Sequence, residues 1–242
     1  MRRAILSLAL PVLLVAGASR ADASGFDARI GGFFPRARDC GVPSDQRADY
    51  TLFQDVCELY LVSETDFDGV FGGAEYSAVV APYVEVGIHL DGYSRTVDSS
   101  YRDYVRPDDS EILQSLKLTS VPLGVTVRLV PTSKSARFAP YVGGGVDAVF
   151  YTYEEFGDFI DFFDPGLAVV PDHFRTDGVA FGVHAVGGLR VYLNRDFAIT
   201  GEGRYLWAGH DMGDDFAPNE PGLVNRIDLS GWAFTVGVHV RF

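Results

Sequence analysis

The chain has 242 residues, 33 of them acidic and 20 basic, for a formal net charge of −13. That balance argues against a nucleic-acid binder, which needs a basic footprint. Hydrophobic residues make up 47% and aromatics 13%, with 27 glycines. Lys, Gln and Met are rare, a mix that favours an all-β domain over a helical one.

The chain begins with a positive pair, Arg2 and Arg3. An apolar stretch follows from Ala4 to Ala18, interrupted only by Ser7, Pro11 and Gly17. Ala21-Asp22-Ala23 fits a small-x-small cleavage site, so residues 1–23 are expected to be a secretory signal peptide cut after Ala23. About 15 apolar residues are too few to cross a bilayer as a helix, and no later segment approaches the roughly 18 a helical span needs. Residues 24–242 then make one domain. The only cysteines, Cys40 and Cys57, most simply form one disulfide in an exported chain.

Alternation and turn signals predict eight strands. The first runs from about Phe26 to Phe34, the second from Val70 to Val80, the third from Tyr83 to Tyr93 and the fourth from Ile112 to Val130. The fifth covers about Tyr141 to Tyr153, the sixth Gly178 to Leu193, the seventh Phe197 to Ala208 and the eighth Ile227 to Phe242. The eighth is the clearest. Trp232, Phe234, Val236, Val238, Val240 and Phe242 share one face, and Gly231, Ala233, Thr235, Gly237, His239 and Arg241 the other. Pro122 in the fourth strand is expected to mark a bulge that shifts parity, leaving Gly124, Thr126 and Arg128 inward beyond it.

The links alternate in length. Ala81-Pro82, Pro131 to Pro140 and Asn194-Arg195-Asp196 are short; Pro35 to Gly69, Ser94 to Glu111, Glu154 to Asp177 and Gly209 to Arg226 are long. A transmembrane barrel has short periplasmic turns and long outer loops. In each long loop acidic residues outnumber basic ones. In the third, Phe156, Phe159, Ile160 and Phe163 recur at helical spacing and predict a short amphipathic helix.

With its signal peptide, eight strands, loop alternation and the ending Val236-Gly237-Val238-His239-Val240-Arg241-Phe242, the chain resembles the small OmpA-like and OmpW-like outer-membrane barrels. The Pro-Tyr-Val-Gly-Gly-Gly run at Pro140 to Gly145 and the Val121-Pro122-Leu123-Gly124 run add to the likeness. The resemblance covers about Phe26 to Phe242. It implies an all-β, eight-stranded antiparallel up-and-down transmembrane β-barrel in the bacterial outer membrane. Both termini would be periplasmic and the long loops extracellular. Phe234, Val236, Val238, Val240 and Phe242 match the signal by which the barrel-assembly machinery recognises such chains. The expected partners are that machinery, outer-membrane lipid and extracellular ligands reached through the loops. The chain is expected to be a monomer, without the second, peptidoglycan-binding domain that many OmpA relatives carry.

If the large apolar face meets lipid, the opposite parity lines the interior. A charge network of Arg29, Glu75, Glu85, Arg190, Glu202, Arg204 and Arg241 is expected there, together with His89, Asp147, His184 and His239. Glu202 should be shared between arginines, Arg29 should approach Arg241, and Glu75 and Glu85 should be counter-charges on the opposite wall. Eight strands leave room for side chains and little more, so the charges should pair and fill the space. Sequence does not set the relative heights of His89, His184 and His239, and no paired ligands share a strand or helix, so no metal or cofactor is expected. No serine lies within two residues of a histidine and no Gly-x-Ser-x-Gly occurs, so no enzyme is expected either. The reading is a structural or surface-interaction barrel with a charge-plugged lumen. The alternative is a narrow channel for small or hydrophobic solutes, with a lipid-modifying enzyme third.

Overall fold

A computed structural model describes residues 24–37, 40–41, 51–132, 136–212, 216 and 226–242. The expected signal peptide, residues 1–23, lies outside them. The strands are β1 (Ser24–Pro35), β2 (Gly69–Ala81), β3 (Val84–Val105), β4 (Glu111–Leu129), β5 (Phe138–Ile160), β6 (Val169–Tyr192), β7 (Phe197–Asp211), β8 (Arg226–Asp228) and β9 (Gly231–Arg241). Helix α1 (Leu52–Leu59) and a 3-10 turn (Glu64–Phe67) lie between β1 and β2.

Strands β1 to β7 pair antiparallel in chain order, β7 pairs with β9, and β9 closes the ring on β1. Strand β8 continues β9 along the edge of β7, so the two make one wall interrupted at Leu229 and Ser230. The ring therefore has eight walls. A circuit of register partners from Ser24 passes through Ala78, Val86, Val127, Gly144, Ala185, Tyr205 and Trp232 and returns to β1 at Phe34, ten residues along. That stagger tilts the strands, by about 35–45° in closed barrels.

An apolar belt girdles the outside. Ile30, Ile88, Val125, Val146, Phe181, Ile199, Val236 and Val238 are exposed within it. Aromatics edge it at the turn end, with Tyr83, Phe138, Phe197 and Phe242, and at the loop end, with Phe34, Trp207, Trp232 and Phe234. Along β7 the edges are Phe197 and Trp207; at about 3.3 Å per residue and about 40° of tilt that is about 25 Å, the height of a barrel's lipid-facing band.

Beyond the belt the polarity inverts. On β5 the outward residues change from Val142, Val146 and Phe150 to Thr152 and Glu154, while the buried inward ones change from Asp147 to Tyr151 and Tyr153. On β4 the inward series runs from Arg128 and Thr126 to Leu118, Leu116 and Ile112. The barrel thus continues past the belt as a wall with a dry core, where large apolar side chains gain by facing inward.

Three expectations are corrected here. Strands β3, β5 and β6 run well into the segments expected as loops. The amphipathic helix expected around Phe156 to Phe163 is absent, because β5 stays paired with β6 from Phe138 to Ile160. A continuous ladder plus burial of Phe159 and Ile160 outweighs the local helical spacing. Pro122 makes no bulge: β4 keeps even-numbered residues inward throughout, and its register with β5 is unbroken. The register shifts in this sheet are in β2, between Val79 and Ala81, and in β3, between Ser100 and Val105.

The first long loop roofs the dry core. Leu52, Phe53 and Val56 of α1 are buried, and Phe53 packs edge-on against Phe67 of the 3-10 turn at 5.3 Å. Arg102 of β3 caps the end of α1, donating to the carbonyls of Cys57 at 2.9 Å and Tyr60 at 3.0 Å, groups a helix end leaves unsatisfied. Tyr93 of β3 donates to the carbonyl of Phe67. Cys40 and Cys57 form a disulfide with Cα atoms 5.3 Å apart.

Candidate functional site

Inside the belt, alternation aims every second side chain at the axis, and short cross-strand spacing forces charges into contact. Arg29 on β1 donates to Asp91 of β3 at 3.0 and 2.8 Å, to Glu75 of β2 at 3.2 Å and to Glu202 of β7 at 3.3 Å. Arg128 of β4 pairs with Glu75 and reaches Glu202 at 3.2 Å. Arg204 of β7 contacts Asp91 and Glu202, each at 3.1 Å. All six residues are buried. Glu202 is therefore shared by three arginines, and it also accepts from the Tyr141 hydroxyl at 2.8 Å.

Toward the turn end, Arg190 of β6 binds Glu85 of β3 at 2.7 Å and lies 3.6 Å from Asp27 of β1. Tyr141 links the two groups, with Arg128 and Arg190 over its ring at 5.2 and 5.1 Å. Asp27 is also 2.9 Å from His239. Glu75 sits among Arg29, Arg128 and Arg204 instead of serving a separate wall, and only Glu85 stands apart with Arg190.

Arg241 is corrected. Antiparallel register pairs it with Gly25, while Arg29 faces Gly237. Its guanidinium stacks on Tyr192 at 4.8 Å and donates to the carbonyl of Arg195 in the β6–β7 turn. It lies at the mouth, away from the central network.

The histidines separate by height. His239 lies near the turn end, whereas His89 of β3 and His184 of β6 meet at one carboxylate. Asp147 of β5 is 2.9 Å from His89 Nε2 and 2.6 Å from His184 Nδ1. The other ring nitrogens face one hydroxyl, Thr126 Oγ1, at 3.2 Å from His89 Nδ1 and 3.0 Å from His184 Nε2. Glycines make the space: a Cβ at Gly124 would collide with Asp147 and His89, and one at Gly145 with His184 and the β4 backbone. Thr126, His184 and Asp147 stand in the order used by hydrolytic triads, but Thr126 is wholly buried beneath the two rings. The three ligand-bearing residues suit a cation better than a substrate; their donor atoms lie within 4.8 Å of one another.

A model of the outer membrane protein beta-barrel domain family matches residues 5–242. The chain belongs to that family. No curated protein matches it in sequence. Among solved structures, the barrel is similar to the outer membrane protein OprG of Pseudomonas aeruginosa, at 10% identity over 91% of this chain and 96% of that one, with a TM-score of 0.52. It is also similar to Neisserial surface protein A, at 11% identity over 91% and 97% with a TM-score of 0.47. For the Escherichia coli outer membrane protein W the figures are 16%, 91%, 98% and 0.39. At 10% identity the likeness to OprG is one of fold.

The outer-membrane family gives the belt its solvent: the charged tier lies at lipid height and the roofed apolar tier beyond it. Sequence reasoning placed Arg128 inward without assigning it to the network. It missed Asp91, which its own parity for β3 puts inside, and Tyr141, whose signal was an aromatic on the glycine-lined face of β5. The meeting of His89, Asp147 and His184 had no local signal, because it depends on three strand registers at once.

Proposed function

We propose that this outer-membrane barrel is a closed, non-enzymatic, monomeric wall element whose working surface is its outer end. The mature chain would start at Ser24. Both termini would be periplasmic, Phe234, Val236, Val238, Val240 and Phe242 would serve recognition by the assembly machinery, and the extended hairpins would stand outside the cell. The observation supporting this is the interlock of Arg29, Arg128 and Arg204 with Glu75, Asp91 and Glu202, a set of paired charges buried inside the belt. Opposed fixed charges at low dielectric leave a permeating ion nothing to replace its hydration.

The outer end offers a surface of distinct character. Phe162, Phe163, Leu167 and Val170 are exposed at the β5–β6 tip, beside Asp161, Asp164 and Asp172. Apolar anchors ringed by carboxylates suit a cationic, amphipathic ligand.

The test is planar-bilayer recording of the purified barrel. No steady conductance is expected, and large, stable single-channel currents would overturn the closed reading. One observation favours a second reading, a narrow channel for small or hydrophobic solutes. A cavity of about 270 Å³ opens among Val79, Tyr83, Val84, Ala139, Tyr192 and His239 at the turn end.

A further inference from the structure

We propose that His89, Asp147 and His184 form a binding site for one divalent late transition-metal ion of the zinc class inside the barrel. The ligand atoms are His89 Nε2, His184 Nδ1 and a carboxylate oxygen of Asp147, which already converge from three strands. Two imidazoles and one carboxylate are a common catalytic or partly open zinc set, and imidazole nitrogen selects zinc, cobalt, nickel and copper over magnesium and calcium.

Charge distribution points to a cation at this position. Among the described residues, each other buried carboxylate of the belt lies against arginine: Asp27 against Arg190, Glu75 against Arg29 and Arg128, Asp91 against Arg29 and Arg204, and Glu202 against Arg29, Arg128 and Arg204. Asp147 meets only the two imidazoles. Its countercharge must come from a proton on a ring or from a metal.

Hydrogen-bond arithmetic at Thr126 admits the same two solutions, a protonated ring or a metal, and excludes two neutral rings. With both rings neutral and both donating to Asp147, the two remaining ring nitrogens are acceptors, and one hydroxyl proton cannot serve both. A metal on the Asp147 side reverses this. Both remaining nitrogens become N–H donors, and the two lone pairs of Thr126 Oγ1 accept them. The hydroxyl is then the outer partner that orients both ligating rings. Each ring keeps one N–H, so metal binding to two neutral rings only moves that proton from the nitrogen facing Asp147 to the one facing Thr126, and a proton is released only where one ring starts as imidazolium. A further carboxylate oxygen, on Asp91, is 3.8 Å from His89 Nε2. A cavity of about 10 Å³ touches Asp91, Asp147, Pro122 and Arg204, whose guanidinium is held by Asp91 and Glu202, and it has room for about one water molecule to complete the coordination.

The site is buried, so the ion should enter as the barrel closes. The untagged mature chain is refolded from urea into detergent with zinc, passed through a desalting column and assayed for metal. One zinc per chain is expected. Refolding with cobalt should give visible ligand-field bands without thiolate charge transfer. His89→Gln or His184→Gln should lose the metal while keeping the heat-shifted gel mobility of a folded barrel, and Thr126→Val should weaken retention about 10- to 100-fold. His173→Gln and His210→Gln, on histidines outside the cluster, should change nothing. Wild-type barrel that folds in zinc yet retains no more than a blank overturns the site, and this arm needs no variant to fold. Loss of the metal in the His173 or His210 variant overturns it equally.

Discussion

Glu155 of β5 accepts a hydrogen bond from Tyr60, which follows α1, at 3.3 Å, tying the roof to the barrel across 95 residues of sequence. Tyr153 donates to the other carboxylate oxygen at 2.8 Å. The pair lies beyond the belt, where Tyr60 also packs edge-on against Tyr101 at 5.1 Å. Burial pushes Glu155 up to about 7, helped by Asp55 of α1 and opposed by the two phenol hydrogen bonds.

That shift makes the roof pH-dependent. An unfolded glutamate releases its proton near 4.5, whereas the folded protein holds it to about 7. Between these values the folded state binds the extra proton, so stability falls as pH rises through the window and levels off above it. The effect is on the order of 3 kcal/mol. Protease nicking between α1 and β2 should be faster at pH 8 than at pH 5, and Glu155→Gln should flatten the difference. A nicking rate independent of pH in the wild-type protein would remove Glu155 from this role.

Glu202 is the hub of the charged tier. Replacing it with Ala leaves Arg29, Arg128 and Arg204 with one carboxylate fewer in a buried site, a loss of about 3–5 kcal/mol where a buried pair is broken. The midpoint for loss of heat-shifted mobility in urea should fall, and conductance bursts should accompany it. Unchanged stability would mean that the arginines find other partners.

Val238 is half exposed on the belt face of β9. A lysine there should cost about 2–4 kcal/mol if it lies near the bilayer midplane and less near an edge. Fractionation and gel mobility of Val238→Lys, with deletion of Phe242 as a companion, test the outward face and the proposed assembly signal separately. Normal insertion of the lysine variant would place that face away from lipid.

The Cys40–Cys57 disulfide closes a short loop, which restricts the unfolded chain by about 3 kcal/mol in the entropy model. β1 ends at Pro35 and β2 begins at Gly69, on either side of it, so the loss should be local. Cys40→Ser with Cys57→Ser should leave barrel mobility intact and speed cleavage around α1. Thiol labelling without reductant should find no free thiol in the wild-type protein.

Alternation alone determined the lower half of this protein. A strand has period two, so Phe234, Val236 and Val238 on one face put Thr235 and His239 on the other, and the same parity sends Arg29, Glu75, Glu202 and Arg204 to the axis. Parity says which face a residue takes, not its height. Height comes from register across neighbouring strands, and only that register separated Arg241 from Arg29 and brought His89, Asp147 and His184 to one point. The upper half was hidden for another reason. Past the belt the solvent changes from lipid to water, so the sign of the pattern reverses: Tyr151 and Tyr153 turn inward where Val146 and Phe150 had faced out. Read with one rule, the continuation past Tyr153 looks like loop, and only the closed ring, with α1 folded over it, makes this tier a core.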